Sequence, residues 1–256
     1  MGAEFQIFTI DADGASETQL TNSPGSYHTA KWSPDGQLIA AVGEHSGEKS
    51  RVWVMNADGS ALRQLTKGPE DDTVPAWSPD GKSIVFAQVN GKAFNLAEIG
   101  LDGSSLRRLT DTAEINSQAS FSPDGTKLAF ARGDLDGKVG GIYVMNPDGT
   151  AVTRLSGAAD NDWLPAWSPD GTHIAFASVS GSGIYLMRPD GSGRQKVVGG
   201  GTWPTWSPDG NYLAFNRPEN NWELHVITVA GAGDRVVTET SSQHYCAYPS
   251  WQPAVS

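Results

Sequence analysis

A five-residue string, Trp-Ser-Pro-Asp-Gly, constrains this chain more than any other feature. It stands at Trp32 to Gly36 and at Trp77 to Gly81, and returns as Phe121 to Gly125, Trp167 to Gly171 and Trp206 to Gly210. A worn sixth copy is Trp251-Gln252-Pro253. Successive aromatic positions lie 45, 44, 46, 39 and 45 residues apart. A period of this length marks repeated supersecondary units that stack on one another.

Each repeat carries the same downstream parts. A short apolar run follows the motif: Ile39 to Val42, Ile84 to Ala87, Leu128 to Ala131, Ile174 to Ala177, Leu213 to Phe215. Such runs between turn signals read as buried strands. A second run, such as Ile142-Tyr143-Val144-Met145, ends in a turn at Asp58-Gly59, Asp102-Gly103, Asp148-Gly149 or Asp190-Gly191. A last short strand then reaches Leu65-Thr66, Leu109-Thr110 or Leu155-Ser156. Four strands in about 45 residues make one propeller blade. The sequence therefore predicts an all-β, six-bladed β-propeller, a single domain over residues 1–256.

The motif joins the first strand to the second. Pro presets φ early in the turn and Gly takes the left-handed position. The six motif aromatics, at 32, 77, 121, 167, 206 and 251, are large enough to wedge between neighbouring blades, so they read as packing residues. The phase of the repeat predicts how the ring closes. Phe5 to Ile10 matches a third strand, Gln19 to Thr21 a fourth, and Tyr248 to Trp251 a first. The sixth blade is thus built from both chain ends, with no visible second strand, and the expected total is 23 strands.

Composition excludes several classes. The 18 basic and 29 acidic residues give a net charge of −11, with no basic cluster for nucleic acid or anionic membranes. No run of eighteen apolar residues exists to span a membrane as a helix. Cys246 is the one cysteine, which excludes an internal disulfide and a multi-cysteine zinc site. The first five residues lack the basic and apolar regions of a signal peptide.

The string Pro-x-Trp-Ser-Pro-Asp-Gly-x-x-Ile-Ala-Phe, followed by Ile-Tyr-Val-Met-Asn-x-Asp-Gly and Arg-x-Leu-Thr, resembles the repeat of TolB-like propellers. It is also similar to the propellers that precede some prolyl-oligopeptidase-type domains. The resemblance runs from Phe5 to Pro253. It implies a periplasmic or extracellular setting and partners that dock on the propeller. TolB's extra N-terminal domain is not matched.

Function should sit in the loops that enter each first strand, because the repeat itself is scaffold. Five residues before the motif aromatics stand Tyr27, Asp72, Asn116, Asp162, Gly201 and Cys246; three before them stand Thr29, Val74, Gln118, Leu164, Trp203 and Tyr248. Glu70, Asp71, Asp72, Glu114, Asp160 and Asp162 span three consecutive repeats and could form a negative sector of the mouth. That sector reads as a Ca²⁺ or other divalent-ion site, with Asp72 and Asp162 as ligands, or as a docking surface for a basic partner. The other reading, favoured for Asp72 and Asp162 because a repeat-phased residue usually serves the repeat, is aspartates capping their own loops.

Tyr27, Trp163, Trp203, Tyr245 and Tyr248, with His28 and His244, could stack a sugar ring or grip a peptide, or could wedge the channel. Enzyme signatures are thin. There is no Gly-x-Ser-x-Gly elbow, Gly199-Gly200-Gly201 precedes a strand rather than a helix, and Cys246 has no orienting partner set. The related oligogalacturonate lyases use a richer His-plus-Gln metal set than this chain shows. The first reading is a non-enzymatic, monomeric propeller without a cofactor. It binds a protein or peptide through Tyr27, His28, Asp71, Asp72, Asn116, Gln118, Asp162, Trp163, Trp203, His244, Tyr245 and Tyr248. The second is a carbohydrate-binding or carbohydrate-active propeller using the aromatic and His members of that mouth. A third is a bare scaffold with no ligand.

Overall fold

The computed structural model describes residues 4–22, 24–218, 222–238 and 247–254. These residues form 22 strands and no α-helix. A short pair comes first, β1 (Phe8–Thr9) with β2 (Thr18–Gln19). Five four-stranded antiparallel units follow. They are β3 (Ser26–Trp32), β4 (Leu38–Glu44), β5 (Arg51–Asn56) and β6 (Arg63–Gln64); then β7 (Asp71–Trp77), β8 (Ser83–Asn90), β9 (Ala93–Gly100) and β10 (Arg107–Arg108). The third is β11 (Ile115–Phe121), β12 (Leu128–Gly133), β13 (Gly140–Met145) and β14 (Thr153–Arg154). The fourth is β15 (Asp162–Trp167), β16 (Ile174–Ser178), β17 (Gly183–Met187) and β18 (Gln195–Gly199). The fifth is β19 (Thr202–Trp206), β20 (Tyr212–Arg217), β21 (Glu223–Thr228) and β22 (Arg235–Val236). One parallel pair, Ile115 with Phe94, joins the second and third units edge to edge.

The motif is a turn held by a relay of hydrogen bonds. The Ser33 hydroxyl donates to Asp35 Oδ1 (2.6 Å) and accepts from the Leu38 amide (2.9 Å), while the Gln37 amide also donates to Asp35 (3.0 Å). The same relay recurs at Asp80, Asp124, Asp170 and Asp209. Gly36 closes the turn at φ 68°, which Gly adopts without strain. Hydrogen bonding to the ionised form, first from Ser168, lowers the Asp170 pKa to about 2.

The core is a ring of six clusters, each straddling two neighbouring units. Ala40, Val52 and Val54 of the first unit meet Trp77, Ile84 and Phe86 of the second. Ala175, Ile184 and Leu186 of the fourth meet Trp206, Leu213 and Phe215 of the fifth. Trp77 Nε1 also donates to the Lys31 carbonyl and Trp206 Nε1 to that of Ala166, both at 2.9 Å. At Trp77 and Trp206 the expected wedge is therefore also hydrogen-bonded.

The ring closes through both chain ends. Ile7 and Leu20 pack on Tyr27, Ile39 and Met55 of the first unit, and Ile10 and Trp251 pack on Ala214 and Val226 of the fifth. Lys31 Nζ donates to the Pro249 carbonyl (3.2 Å), and the Trp32 amide to Ser250 Oγ (3.4 Å). This closure is consistent with six blades. One expectation differs: residues 248–251 lie in the place of a first strand but form no ladder. A strand needs a partner, and among the described residues none pairs with them.

Every first strand carries a bulge. Register shifts fall between His28 and Lys31, Thr73 and Ala76, Ser117 and Ser120, Trp163 and Ala166, and Thr202 and Thr205. At the bulges Thr29, Val74, Gln118, Leu164 and Trp203 hold φ values of 51° to 62°, and Tyr248 holds 62° in the sixth position. Left-handed φ costs any non-glycine residue, and β-branched Thr29 and Val74 most. The closed ring imposes this shape on whatever residue the position carries.

Candidate functional site

The residues at the entrance to each first strand divide into a buried polar set and an aromatic strip. Asp72, Asn116 and Asp162 are all buried. Burial raises the pKa of Asp72, while Thr66, Gln88 and Arg51 pull the other way. Arg51 Nη1 lies 3.5 Å from Asp72 Oδ2, and the guanidinium also donates to the carbonyls of Gly68 and Glu70. Arg194 forks onto Asp162 at 2.5 and 3.2 Å. Its guanidinium carbon lies 4.6 Å from the Tyr185 ring centre and 4.9 Å from that of Phe176. Asn116 accepts from Arg132 Nε at 2.7 Å and donates to the Phe94 carbonyl.

Asp71, Glu114 and Asp160 are also partnered, while Glu70 takes part through its backbone carbonyl. Asp71 binds Lys49 Nζ at 2.8 Å and the Ser50 amide at 2.9 Å, and the Lys49 bond lowers its pKa. Glu114 lies 3.6 Å from Arg132, and Asp160 lies 3.6 Å from Arg194. The expected negative sector is thus largely neutralised, and the expectation of loop-capping aspartates is also changed. Asp72 and Asp162 bind arginines rather than only their own loops. Guanidinium groups stand where a cation would approach those two carboxylates. Among the described residues no three His, Cys, Asp or Glu side chains converge on one point.

The aromatic set splits. Tyr27 is buried, its hydroxyl 3.0 Å from His45 Nε2, with its ring edge-on to Trp53 and His45. It packs in the core of the first unit and also borders the seam cleft. Trp163 lies against the bare backbone of the third unit. A Cβ on Gly140 would come 2.3 Å from its ring and one on Gly133 2.4 Å, so only glycine leaves it room. Its indole donates to Asn161 Oδ1. Gln118 spans two blades, accepting from the Leu164 amide at 3.0 Å. His244, Tyr245 and Cys246 lie outside the described residues.

Trp203, Tyr248 and His28 do come together, with Phe5 joining them. Trp203 and Tyr248 meet edge to face at 4.6 Å, Tyr248 and His28 at 5.8 Å, and His28 and Phe5 at 6.1 Å. His28 Nδ1 lies 2.8 Å from Thr29 Oγ1, and Nε2 lies 3.3 Å from Glu44. Burial raises the Tyr248 pKa. Gln6, Phe5, His28 and Tyr248 line a cleft at this seam.

Two participants escaped the sequence reading. Phe5 reads in the sequence only as the start of a strand. Lys31 stands directly before its motif aromatic, where the other repeats place Ala76, Ser120, Ala166, Thr205 and Ser250. Burial lowers its pKa to about 8. That one long cation among small residues was the available signal.

The strand phase, bulged first strands and six interblade clusters define a β-propeller with the repeat of one family. The chain belongs to the PD40 family of TolB β-propeller domains, whose profile matches residues 2–118 and 113–256. Curated protein sequences give no match. Among solved structures, TolB from Acinetobacter baumannii superposes with a TM-score of 0.81 at 22% identity. The match covers 97% of this chain and 62% of that one, so this chain spans less than two thirds of it. A TolB-like protein from Agrobacterium tumefaciens gives 0.74 at 20% identity, covering 87% of this chain and 84% of that one. A chain of the nidogen/laminin complex gives 0.75 at 12% identity, covering 91% and 89%. Oligogalacturonate lyase from Vibrio parahaemolyticus is further away, at 0.62 and 15% identity, covering 90% and 71%. At these identities the likeness shows the fold alone.

Proposed function

We propose that this propeller is a non-enzymatic docking scaffold, which grips an extended peptide or a protein loop along the strip Trp203, Tyr248, His28 and Phe5. The carrying observation is the continuity of that strip. Four rings touch in sequence across the closure seam, while the acidic entrances elsewhere are filled by internal arginines. Rigid aromatic surface of this kind supplies contact area at low entropic cost. The TolB-like fold and the nidogen/laminin match support a protein partner and an extracytoplasmic setting.

Panning a random peptide library against the folded protein tests the reading. Enriched peptides should bind wild type and lose at least tenfold in affinity on Trp203→Ala or His28→Ala. Enrichment that survives both substitutions sinks it. A second reading, carbohydrate binding, rests on the half-buried Trp203 ring, joined through Tyr248 to His28, which pairs with Glu44. Glycan-array binding that disappears in Trp203→Ala, with no peptide enriched, would favour it.

A further inference from the structure

Three arginines packed into these blades each find a carboxylate of the same chain. Arg51 lies 3.5 Å from Asp72, Arg194 lies 2.5 Å from Asp162, and Arg217 lies 2.6 Å from Asp234. Arg132, in the third unit, meets an amide instead. Asn116 stands where the second and fourth units place Asp72 and Asp162, and it faces Arg132 across the ladder.

The Asn116 oxygen accepts from Arg132 Nε at 2.7 Å. Its nitrogen donates to the Phe94 carbonyl at 3.1 Å and to Thr112 Oγ1 at 2.6 Å. A neutral amide thus occupies one guanidinium donor and leaves the charge uncompensated. Glu114 is half exposed, and its Oε2 lies 3.6 Å from Nε, beyond hydrogen-bond distance. Asp134 accepts from the amides of Lys138 and Val139 in its own hairpin. Among the described residues the two Nη nitrogens of Arg132 make no hydrogen bond, and neither is enclosed.

The group is nonetheless held in place. Its guanidinium carbon lies 5.3 Å from the ring centre of buried Phe130 and 5.1 Å from that of Tyr143. Arg154, 5.6 Å from the same Tyr143 ring, gives its donors to the carbonyls of Ser156, Gly140 and Gly157. Arg217 shows what the same group does when an acid is present. It follows buried Phe215 by two residues, as Arg132 follows Phe130, and its guanidinium carbon lies 5.5 Å from that ring. It binds Asp234 at 2.6 Å and the Gly199 carbonyl at 3.0 Å.

We propose that the free fork of Arg132 is a carboxylate-binding site, which takes either the C-terminal carboxylate or an Asp or Glu side chain of a docking peptide. A planar guanidinium matches a carboxylate through two parallel N–H groups, and a fork already seated on aromatic rings loses little freedom when it binds. The site is built from Asn116, Phe130 and Tyr143. It shares no residue with the strip of Trp203, Tyr248, His28 and Phe5, so the two readings fail separately.

NMR of the arginine Nε–H groups and of the Asn116 side-chain amide in the full chain tests it. Two probes separate the sources: acetyl-Gly-Gly-Gly with a free C-terminus, and acetyl-Gly-Glu-Gly amide, whose one carboxylate is on the side chain. At constant ionic strength at least one should shift the Arg132 and Asn116 signals saturably and leave those of Arg51, Arg194 and Arg217 in place. The tighter probe names the source. Arg132→Lys keeps the charge but removes the fork, and binding read at Asn116 should weaken at least tenfold. Asn116→Asp supplies the acid found in the second and fourth units and should abolish binding; if that variant does not fold, Arg132→Lys decides. Neither probe shifting the signals, shifts matched by sodium chloride, or wild-type affinity in Arg132→Lys or in folded Asn116→Asp overturns the proposal.

Discussion

The fourth and sixth units are built from the same repeat, yet they hold together in different ways. In the fourth, Phe176 is fully buried, stacks on Tyr185 and sits under the Arg194 guanidinium, which itself binds buried Asp162. At the closure seam Phe8 is exposed, and among the described residues Lys31 and Trp32 reach Pro249 and Ser250 near the other chain end. Among the described residues the fifth-to-sixth cluster holds Ala214, Val226 and Val237 as its buried members, where the first-to-second cluster holds two large buried rings, Trp77 and Phe86. A complete blade is thus stabilised by its second strand, which packs on both neighbours at once.

Substitutions can break or sharpen this contrast. The largest effect belongs to Phe176→Ala, expected to cost about 3–5 kcal/mol by removing a buried ring. Phe8→Ala, at the third-strand position equivalent to Tyr185, should cost about 0.5 kcal/mol or less because the ring is exposed. Urea unfolding of the two variants measures the difference, and equal losses would refute it. Next comes Asp162→Ala, which leaves Arg194 without its buried partner and should cost about 3 kcal/mol. The double variant Asp162→Ala with Arg194→Met should recover part of that loss.

Lys31→Met probes the seam. The folded pKa of Lys31 lies below the unfolded value, so folding releases its proton and stability should rise with pH from about 8 to 10.5. The variant removes the burial penalty and should gain about 1 kcal/mol near pH 7, offset by the lost bond to Pro249. That gain should shrink towards pH 10, and a pH-independent difference would deny the titration. The smallest effect is at the motif turn. Asp170→Asn should cost about 0.5–1 kcal/mol above pH 4. Because the folded pKa is depressed to about 2, the wild-type advantage is present above the unfolded value of 3.8 and lost as pH falls towards 2. Denaturation at pH 5 and pH 2.5 reads it.

The fold was legible because its signals are local. Ser-Pro-Asp-Gly carries its own turn chemistry, and a strand that follows a turn needs no distant information. The entrances were not legible for the opposite reason. Asp162 meets an arginine 32 positions later, and Asp72 meets one 21 positions earlier in the preceding unit. Asp72 and Asp162 looked alike in phase with Asn116, but the arginine reaches each from a different strand or loop. The sequence position of Tyr27 does not reveal that its ring is almost wholly buried, in the first unit's core and at the edge of the seam cleft.

The closing contacts also have a kinetic side. Lys31 reaches Pro249, and Trp32 reaches Ser250, across 218 residues, whereas Trp77 reaches its neighbouring blade across 46. Chain-closure entropy grows only logarithmically with separation, so the longer span costs about 1.4 kcal/mol more than a neighbouring-blade contact. Long-range contacts nevertheless tend to form late. Refolding should therefore assemble an arc of blades first and shut the ring last.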